Sequence, residues 1–119
     1  MEFKKQKPIY LQIADTLCER ILREEWKEDE RLASVRDVAV ELGVNPNTAL
    51  RAFDYLQGEE IIYNRRGIGY FVGNDAKRKA TELQKNYFLK EELPFILQQM
   101  KRLGLTLADL EREAKNINQ

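Results

Sequence analysis

Histidine is absent from this chain of 119 residues, and cysteine occurs once, as Cys18. Without histidine there is no imidazole general base, no imidazole metal ligand and no catalytic triad of the usual kind. A single cysteine allows neither an internal disulfide nor a thiolate zinc site, and a free thiol fits a reducing compartment. Long apolar runs are missing too. Nothing approaches the roughly 20 residues needed to span a bilayer, so no membrane insertion is expected. The charged stretch 1–8 leads into no apolar segment and is not a signal peptide. The carboxylates are scattered without pairing and no phosphate-loop motif occurs, so neither an enzyme nor a resident cofactor or metal is expected. The last absence is net charge. Twenty basic and twenty acidic residues cancel to zero, which taken alone argues against nucleic acid, because DNA binders tend to be basic. Together these absences describe a cytoplasmic, non-catalytic protein.

What is present is an ordinary globular composition, 43% hydrophobic and 34% charged. The length suits one domain, or a small domain with an appendage. Its core will be thin, and association with a second chain would help it.

Pro8 opens the first periodic segment. Ile9, Ile13, Leu17 and Ile21, with Tyr10 and Leu22 alongside, recur at helical spacing and predict an amphipathic helix ending near Trp26. A polar connection, 27–31, follows. Ser34 then reads as an N-cap with Asp37 three residues on, ahead of the apolar face Val35, Val38, Ala39 and Leu42, and Gly43 is placed to end that helix. Asn45 and Pro46 open a third helix to about Gln57, burying Ala49, Ala52 or Phe53, and Leu56. Two short helices about the turn Gly43-Val44-Asn45-Pro46 make a helix-turn-helix signature. The β-rich runs 61–63 and 70–72 flank a loop, 64–69, and predict a hairpin. Three helices and a hairpin form a winged helix-turn-helix. The domain boundary is placed at 74/75, leaving 75–119 as a helical tail. In it, Leu83, Tyr87, Phe88, Ile96, Met100 and Leu103 share related faces. Pro94 predicts a kink or a break, Gly104 stops the helix, and Thr106 with Asp109 opens a last one to about Lys115. The fold class is mainly α with a small β-hairpin: a winged helix-turn-helix followed by a short helical dimerisation tail.

Candidate chemistry sits on the turn, the third helix and the wing. Asn45, Asn47 and Thr48 lie where a recognition helix presents side chains to base edges. Asparagine pairs bidentately with adenine, and threonine bonds either base or touches a thymine methyl. Asn45 has a second reading as a helix cap, which is the stronger one for that residue alone. Arg36 lies early in the second helix, where such folds meet the phosphate backbone. Arg51 can be a DNA contact or a surface arginine in a weak ion pair, with Asp54 nearby. Arg65 and Arg66, followed by Gly67 and Gly69, let a hairpin tip approach a phosphate or enter a groove. No acidic residue occurs between Ile61 and Gly73. A winged helix that served only protein contact would favour aromatics on these surfaces instead.

These blocks resemble the DNA-binding domain of the GntR family of bacterial transcription regulators. The chain reads Pro8-Ile9-Tyr10-Leu11-Gln12-Ile13, then Arg31-Leu32-Ala33-Ser34-Val35-Arg36-Asp37-Val38-Ala39, then Leu42-Gly43-Val44-Asn45-Pro46-Asn47-Thr48, then Arg65-Arg66-Gly67-Ile68-Gly69-Tyr70-Phe71-Val72. All four blocks stand in the family's order over about the first 73 residues. Asn-Pro-Asn-Thr in the turn and the short tail resemble the YtrA-type branch, which lacks a large effector domain and dimerises through C-terminal helices. The resemblance implies a homodimeric, sequence-specific regulator, by family habit a repressor, on a two-fold symmetric double-stranded DNA operator. It implies Ser34 and Arg36 on phosphate and adjacent bases, and Asn45, Asn47 and Thr48 in the major groove. Arg66 and Gly67 would enter the minor groove, with Arg65 on the flanking backbone. Three positions depart from the pattern. Ala33 replaces a proline, Asp29-Glu30 replaces Gly-Asp, and Leu50 stands where other branches often carry arginine.

The tail's apolar stripe, Leu83 to Leu103, either packs back on the chain's own winged helix or forms a symmetric dimer, and its size favours the dimer. Trp26, Tyr87, Phe88 and Phe95 can line a small pocket for an effector that the residues do not identify, although core or dimer packing is the more frequent role for such side chains. The charge, finally, is unevenly spread. Residues 1–74 hold eleven basic and thirteen acidic residues, and Glu24, Glu25, Glu28, Asp29 and Glu30 cluster between the first two helices. Neutrality is therefore a cancellation between faces, predicting modest non-specific DNA affinity and a shallow salt dependence.

Overall fold

Pro8 precedes the first helix with its carbonyl accepting the free amides of Leu11 and Gln12. From there the computed structural model describes residues 6–118; the first five residues, and with them most of the charged stretch expected not to be a signal peptide, lie outside the described residues. Contacts divide the chain into two units, Met1–Gln84 and Lys85–Gln119.

In the N-terminal unit, α1 (Ile9–Leu22) buries Ile13, Ala14, Leu17, Cys18 and Ile21. It ends four residues short of Trp26, because the backbone turns left-handed at Glu24 (φ 60°) and releases the chain from helical register. α2 (Val35–Leu42) starts at Ser34, whose hydroxyl accepts the Asp37 amide at 3.0 Å, and stops at Gly43 with φ 65°. α3 (Pro46–Gly58) starts at Asn45, whose side-chain oxygen accepts the Asn47 amide at 2.8 Å. Its inner face carries both Ala52 and Phe53, together with Ala49 and Leu56, all fully buried. Phe53 is the largest side chain in the core and packs its ring on Tyr70.

The hairpin is tighter than expected. β1 (Ile62–Arg65) and β2 (Gly69–Val72) pair in antiparallel register, Ile62 with Val72 through Arg65 with Gly69, so Asn64, Arg65 and Gly69 belong to strands and not to the loop. Residues 29–32 run along the outer edge of β2, with Asp29, Glu30, Leu32 and the Arg31–Phe71 bridge all pairing to it. α4 (Ala76–Tyr87) begins on this unit, burying Ala76 and Ala80 in the same core, with Leu83 packed against it. That packing carries the N-terminal unit past residue 74 to Gln84.

The C-terminal unit contains a π-helical segment (Phe88–Glu92), α5 (Leu93–Arg102) and α6 (Leu107–Ile117). At Pro94 the helical structure is not interrupted; the adjustment falls just before it. Proline has no N–H to donate one turn back, and the wider turn, in which the Leu93 amide reaches the Phe88 carbonyl, absorbs the change of register. Thr106 and Asp109 form a reciprocal capping box at the start of α6. No side chain of the π-helical segment, α5 or α6 is buried.

Candidate nucleic-acid interface

The helix-turn-helix places two helix N-termini and one hairpin tip at the surface with their polar side chains outward. At the start of α2 the Ser34 hydroxyl is taken up in capping, and Arg36 stands exposed in the first turn. At the start of α3, Asn45 is likewise engaged as a cap, which leaves its amide N–H₂ as the free group. Asn47 is exposed, and Thr48 is half-buried beside it. The outer face of α3 therefore runs Asn47, Leu50, Arg51, Asp54 at helical spacing, opposite a fully buried inner face.

Arg51 is not simply solvated. Its guanidinium lies 3.9 Å from the centre of the Tyr10 ring, and Tyr10 is braced edge-on by Tyr55. Attraction to the ring face restrains the guanidinium, which still has N–H groups to donate. Tyr10 is thus a positioning residue that periodicity alone counted only as part of a helix face. The wing uses the same device. Arg65 sits 5.0 Å from the Phe71 ring centre, and Phe71 is stacked on Tyr63. Tyr63 in turn donates its hydroxyl to Asp29 at 2.8 Å.

Beyond Arg65 the tip is Arg66-Gly67-Ile68, all exposed. Gly67 has φ 79° and faces open space, so it supplies a left-handed turn and leaves the backbone bare for close approach. Gly69 has φ 150°, a backbone conformation that a side chain would strain, and it lies beside the flexible end of Arg31, whose guanidinium crosses the base of the wing. Arg31 belongs to the second motif block, yet spacing gave it no part in the wing, because its approach comes from tertiary pairing with β2.

Ion pairing engages some of the cations and not these arginines. Lys7, Arg20, Lys77 and Arg78 are each in an ion pair, the Arg20–Glu41 pair being bidentate and linking α1 to α2. Its hydrogen bonds hold the Glu41 carboxyl below, and the Arg20 guanidinium above, the usual range. Arg36, Arg51, Arg65 and Arg66 have no ion pair with another described residue. The acidic connection is consumed internally. Glu24 pairs with Lys77, Glu25 with Arg20, Glu28 accepts the Asp75 amide, Asp29 accepts the Tyr63 hydroxyl, and Glu30 accepts the Lys27 amide. The acids thus fasten α1, the edge strand, the wing and α4 together, while the four arginines have no such ion-pair partner.

The remaining sequence-selected residues divide between the units. Cys18 is buried in the N-terminal core, and burial, reinforced by Asp15, pushes its thiol up to about 12. Trp26 lines a recess of about 300 Å³ with Ile21, Glu24, Glu28 and Lys77 in the N-terminal unit, whereas Tyr87, Phe88 and Phe95 lie in the C-terminal unit. Of the interface candidates, Leu83 is half-buried on the N-terminal core, and Tyr87 and Met100 are half-buried. Phe88, Ile96 and Leu103 are exposed. Among the described residues no helix is long and apolar enough to cross a membrane.

Comparison with known proteins agrees with this geometry. Residues 9–72, from the first turn of α1 to the end of β2, match the bacterial regulatory proteins of the gntR family. The chain is 38% identical over 109 residues to an uncharacterized HTH-type transcriptional regulator, YhcF, of Bacillus subtilis, covering 92% of this chain and 88% of that protein. It is 33% identical over 111 residues to the HTH-type transcriptional repressor YtrA of the same organism, covering 93% and 85%. A crystal structure of a putative GntR-family regulator from Bacteroides thetaiotaomicron superposes with a TM-score of 0.75 at 43% identity, over 92% of this chain and 96% of that one. A helix-turn-helix with unpaired arginines on its helix starts and wing tip, matched along its length in this way, is a DNA-binding transcriptional regulator and not an enzyme: the chain belongs to the GntR family.

Proposed function

We propose that the protein is a cytoplasmic, sequence-specific repressor that binds a two-fold symmetric operator as a homodimer. The observation that carries the DNA surface is the set of exposed arginines, Arg36, Arg51, Arg65 and Arg66, which stand on the helix-turn-helix and wing without an ion pair to another described residue, while the acidic connection 24–30 is engaged elsewhere in the unit. Asn45, Asn47 and Thr48 enter the major groove, and Ser34 and Arg36 approach the adjoining backbone. Arg51, held over the Tyr10 ring, donates to a phosphate. Arg66 and Gly67 reach the minor groove, with Gly69 setting the turn and Arg65 on the flanking phosphate. Repression is supported by the likeness to YtrA, which is a repressor.

The dimer rests on the C-terminal unit. Phe88, Ile96 and Leu103 are exposed together with Leu97, Leu105, Leu107 and Leu110, on helices that bury nothing of their own. A second copy covers this surface through Tyr87, Phe88, Ile96, Met100 and Leu103, with Leu83 at its edge. Two copies then address half-sites about one helical turn, roughly 34–36 Å, apart.

Gel-shift titration against randomised duplexes at two salt concentrations tests the reading. Wild type should enrich two-fold symmetric sequences. Arg66→Ala should bind all of them more weakly through loss of its minor-groove contact, and Arg65→Ala should lower the salt slope by about one as its phosphate is no longer neutralised. A wild type that shifts no duplex, with Arg66→Ala indistinguishable from it, refutes DNA binding. Binding to sites without two-fold symmetry refutes the dimer.

A further inference from the structure

We infer that Leu50 reads the C5-methyl group of a thymine in each half-site, so that the recognition helix selects A·T pairs by shape and amide chemistry without a guanidinium. The inference rests on the sequence-specific reading above and specifies its chemistry.

The position is what gives this leucine meaning. A lone exposed leucine needs no explanation on a general surface, but Leu50 is 40% exposed on the outer face of α3, between Asn47 one turn before it and Asp54 one turn after. The inner face of the same helix, Ala49, Ala52, Phe53 and Leu56, is 0% exposed. The apolar requirement of the core is thus met in full without Leu50, which has no place in the packed cluster.

The chemistry of its neighbours narrows what it can meet. Arg51 is the one cation in α3, and it is stacked on Tyr10 at 3.9 Å. Engaged with that ring it is assigned to a phosphate, and no other cation in α3 offers guanine the bidentate fork that is the commonest specific contact. What remains on the groove-facing end is the Asn45 amide N–H₂, the Asn47 amide, the Thr48 hydroxyl and methyl, and the Leu50 isobutyl group. Asparagine's bidentate partner is adenine, and the thymine methyl is the one apolar feature that a major-groove edge presents. Asn47 and Leu50, one turn apart on the same face, therefore match adjacent A·T pairs, and the exposed leucine becomes buried only when a methyl covers it.

Deoxyuridine isolates this contact, because it lacks the methyl but keeps every hydrogen-bonding atom of thymine. A duplex selected by wild type is rebuilt with dT replaced by dU one position at a time, and affinity is read by fluorescence anisotropy with wild type and Leu50→Ala. Since Leu50 lies outside the core, the variant should keep the wild-type fold, checked by its unfolding midpoint. One dU per half-site is expected to weaken wild type about three- to tenfold. Leu50→Ala should bind the unmodified duplex about as weakly as wild type binds that dU duplex, and should be indifferent to the same substitution. Wild-type affinity unchanged by every dU overturns the inference, as does a dU penalty that persists undiminished in Leu50→Ala. Failure of wild type to select any duplex overturns the sequence-specific reading itself, and this inference with it.

Discussion

The N-terminal and C-terminal units are assembled from the same local devices and differ in what those devices enclose. Ser34 caps α2 by accepting the amide of Asp37, and Thr106 caps α6 by accepting the amide of Asp109. Gly43 and Gly104 both follow helices with left-handed backbone, at φ 65° and 71°. Yet the N-terminal unit closes Leu17, Ile21, Phe53, Leu56 and Ile61 into a buried core, whereas the C-terminal helices bury no side chain. Capping and periodicity define where a helix begins and which side of it is apolar. Stability comes from covering that side, and two short helices alone do not supply enough surface to do so.

Four experiments would break or sharpen this contrast. The largest effect is expected from Phe53→Ala, which empties the centre of the N-terminal core and should cost about 3–5 kcal/mol in urea unfolding. Leu107→Ala, at a 69% exposed position, should leave that transition in place. Equal losses would erase the distinction between the units. Cys18 provides an independent readout: with its thiol pushed up to about 12 by burial, it should resist thiol reagents in the wild type and label rapidly in Phe53→Ala. By the same burial, stability should be undiminished below the ordinary thiol range and decline as pH rises from about 9, where the unfolded chain ionises, toward 12.

Next in size is Ile96→Asp. It should leave the N-terminal unit folded but reduce the sedimenting species to a single chain, and operator affinity should fall about 100-fold as the two half-sites lose their linkage. A dimer that survives this change moves the interface off α5. Ser34→Ala should be smaller, about 1 kcal/mol of N-terminal stability, because one helix amide loses its acceptor. Smallest is the acid response of α6. The Thr106 backbone amide, followed by its hydroxyl, holds the Asp109 carboxyl below the usual carboxylate range. Its contribution is therefore present above that range and lost as pH falls through the lowered value. Amide exchange in α6 should accelerate on acidification in the wild type and lose that pH dependence in Asp109→Asn, without change in the N-terminal unit.

Particular residues show how far the sequence can be read. The starts of α2, α3 and α6 are each marked by a residue whose side-chain oxygen accepts a nearby amide, a local bond that needs no tertiary partner. Periodicity extends α1 too far because Trp26 continues an apolar pattern, while the left-handed turn at Glu24 leaves no compositional trace. Asn64, Arg65 and Gly69 read as loop residues, since arginine, asparagine and glycine are poor strand formers; pairing with the opposite strand overrides that preference. Pro94 signals an irregularity, but its form as a π-helical turn depends on the whole segment 88–92. In the interface, the arginines are legible and their supports are not. Tyr10 under Arg51, Phe71 under Arg65 and Arg31 across Gly69 each join residues brought together only by the fold.

By itself the sequence determined the helix-turn-helix, its caps, the glycine-turned wing and the membership that four ordered motif blocks declare, because these depend on interactions within a few residues. Tertiary structure alone decided which charges are free. Glu24, Glu25, Glu28, Asp29 and Glu30 count as five negative charges in a composition, and become internal fastenings only once α1, the wing and α4 are brought together. Charge is additive along a chain, but the field that a partner meets depends on which groups have already found one another in space.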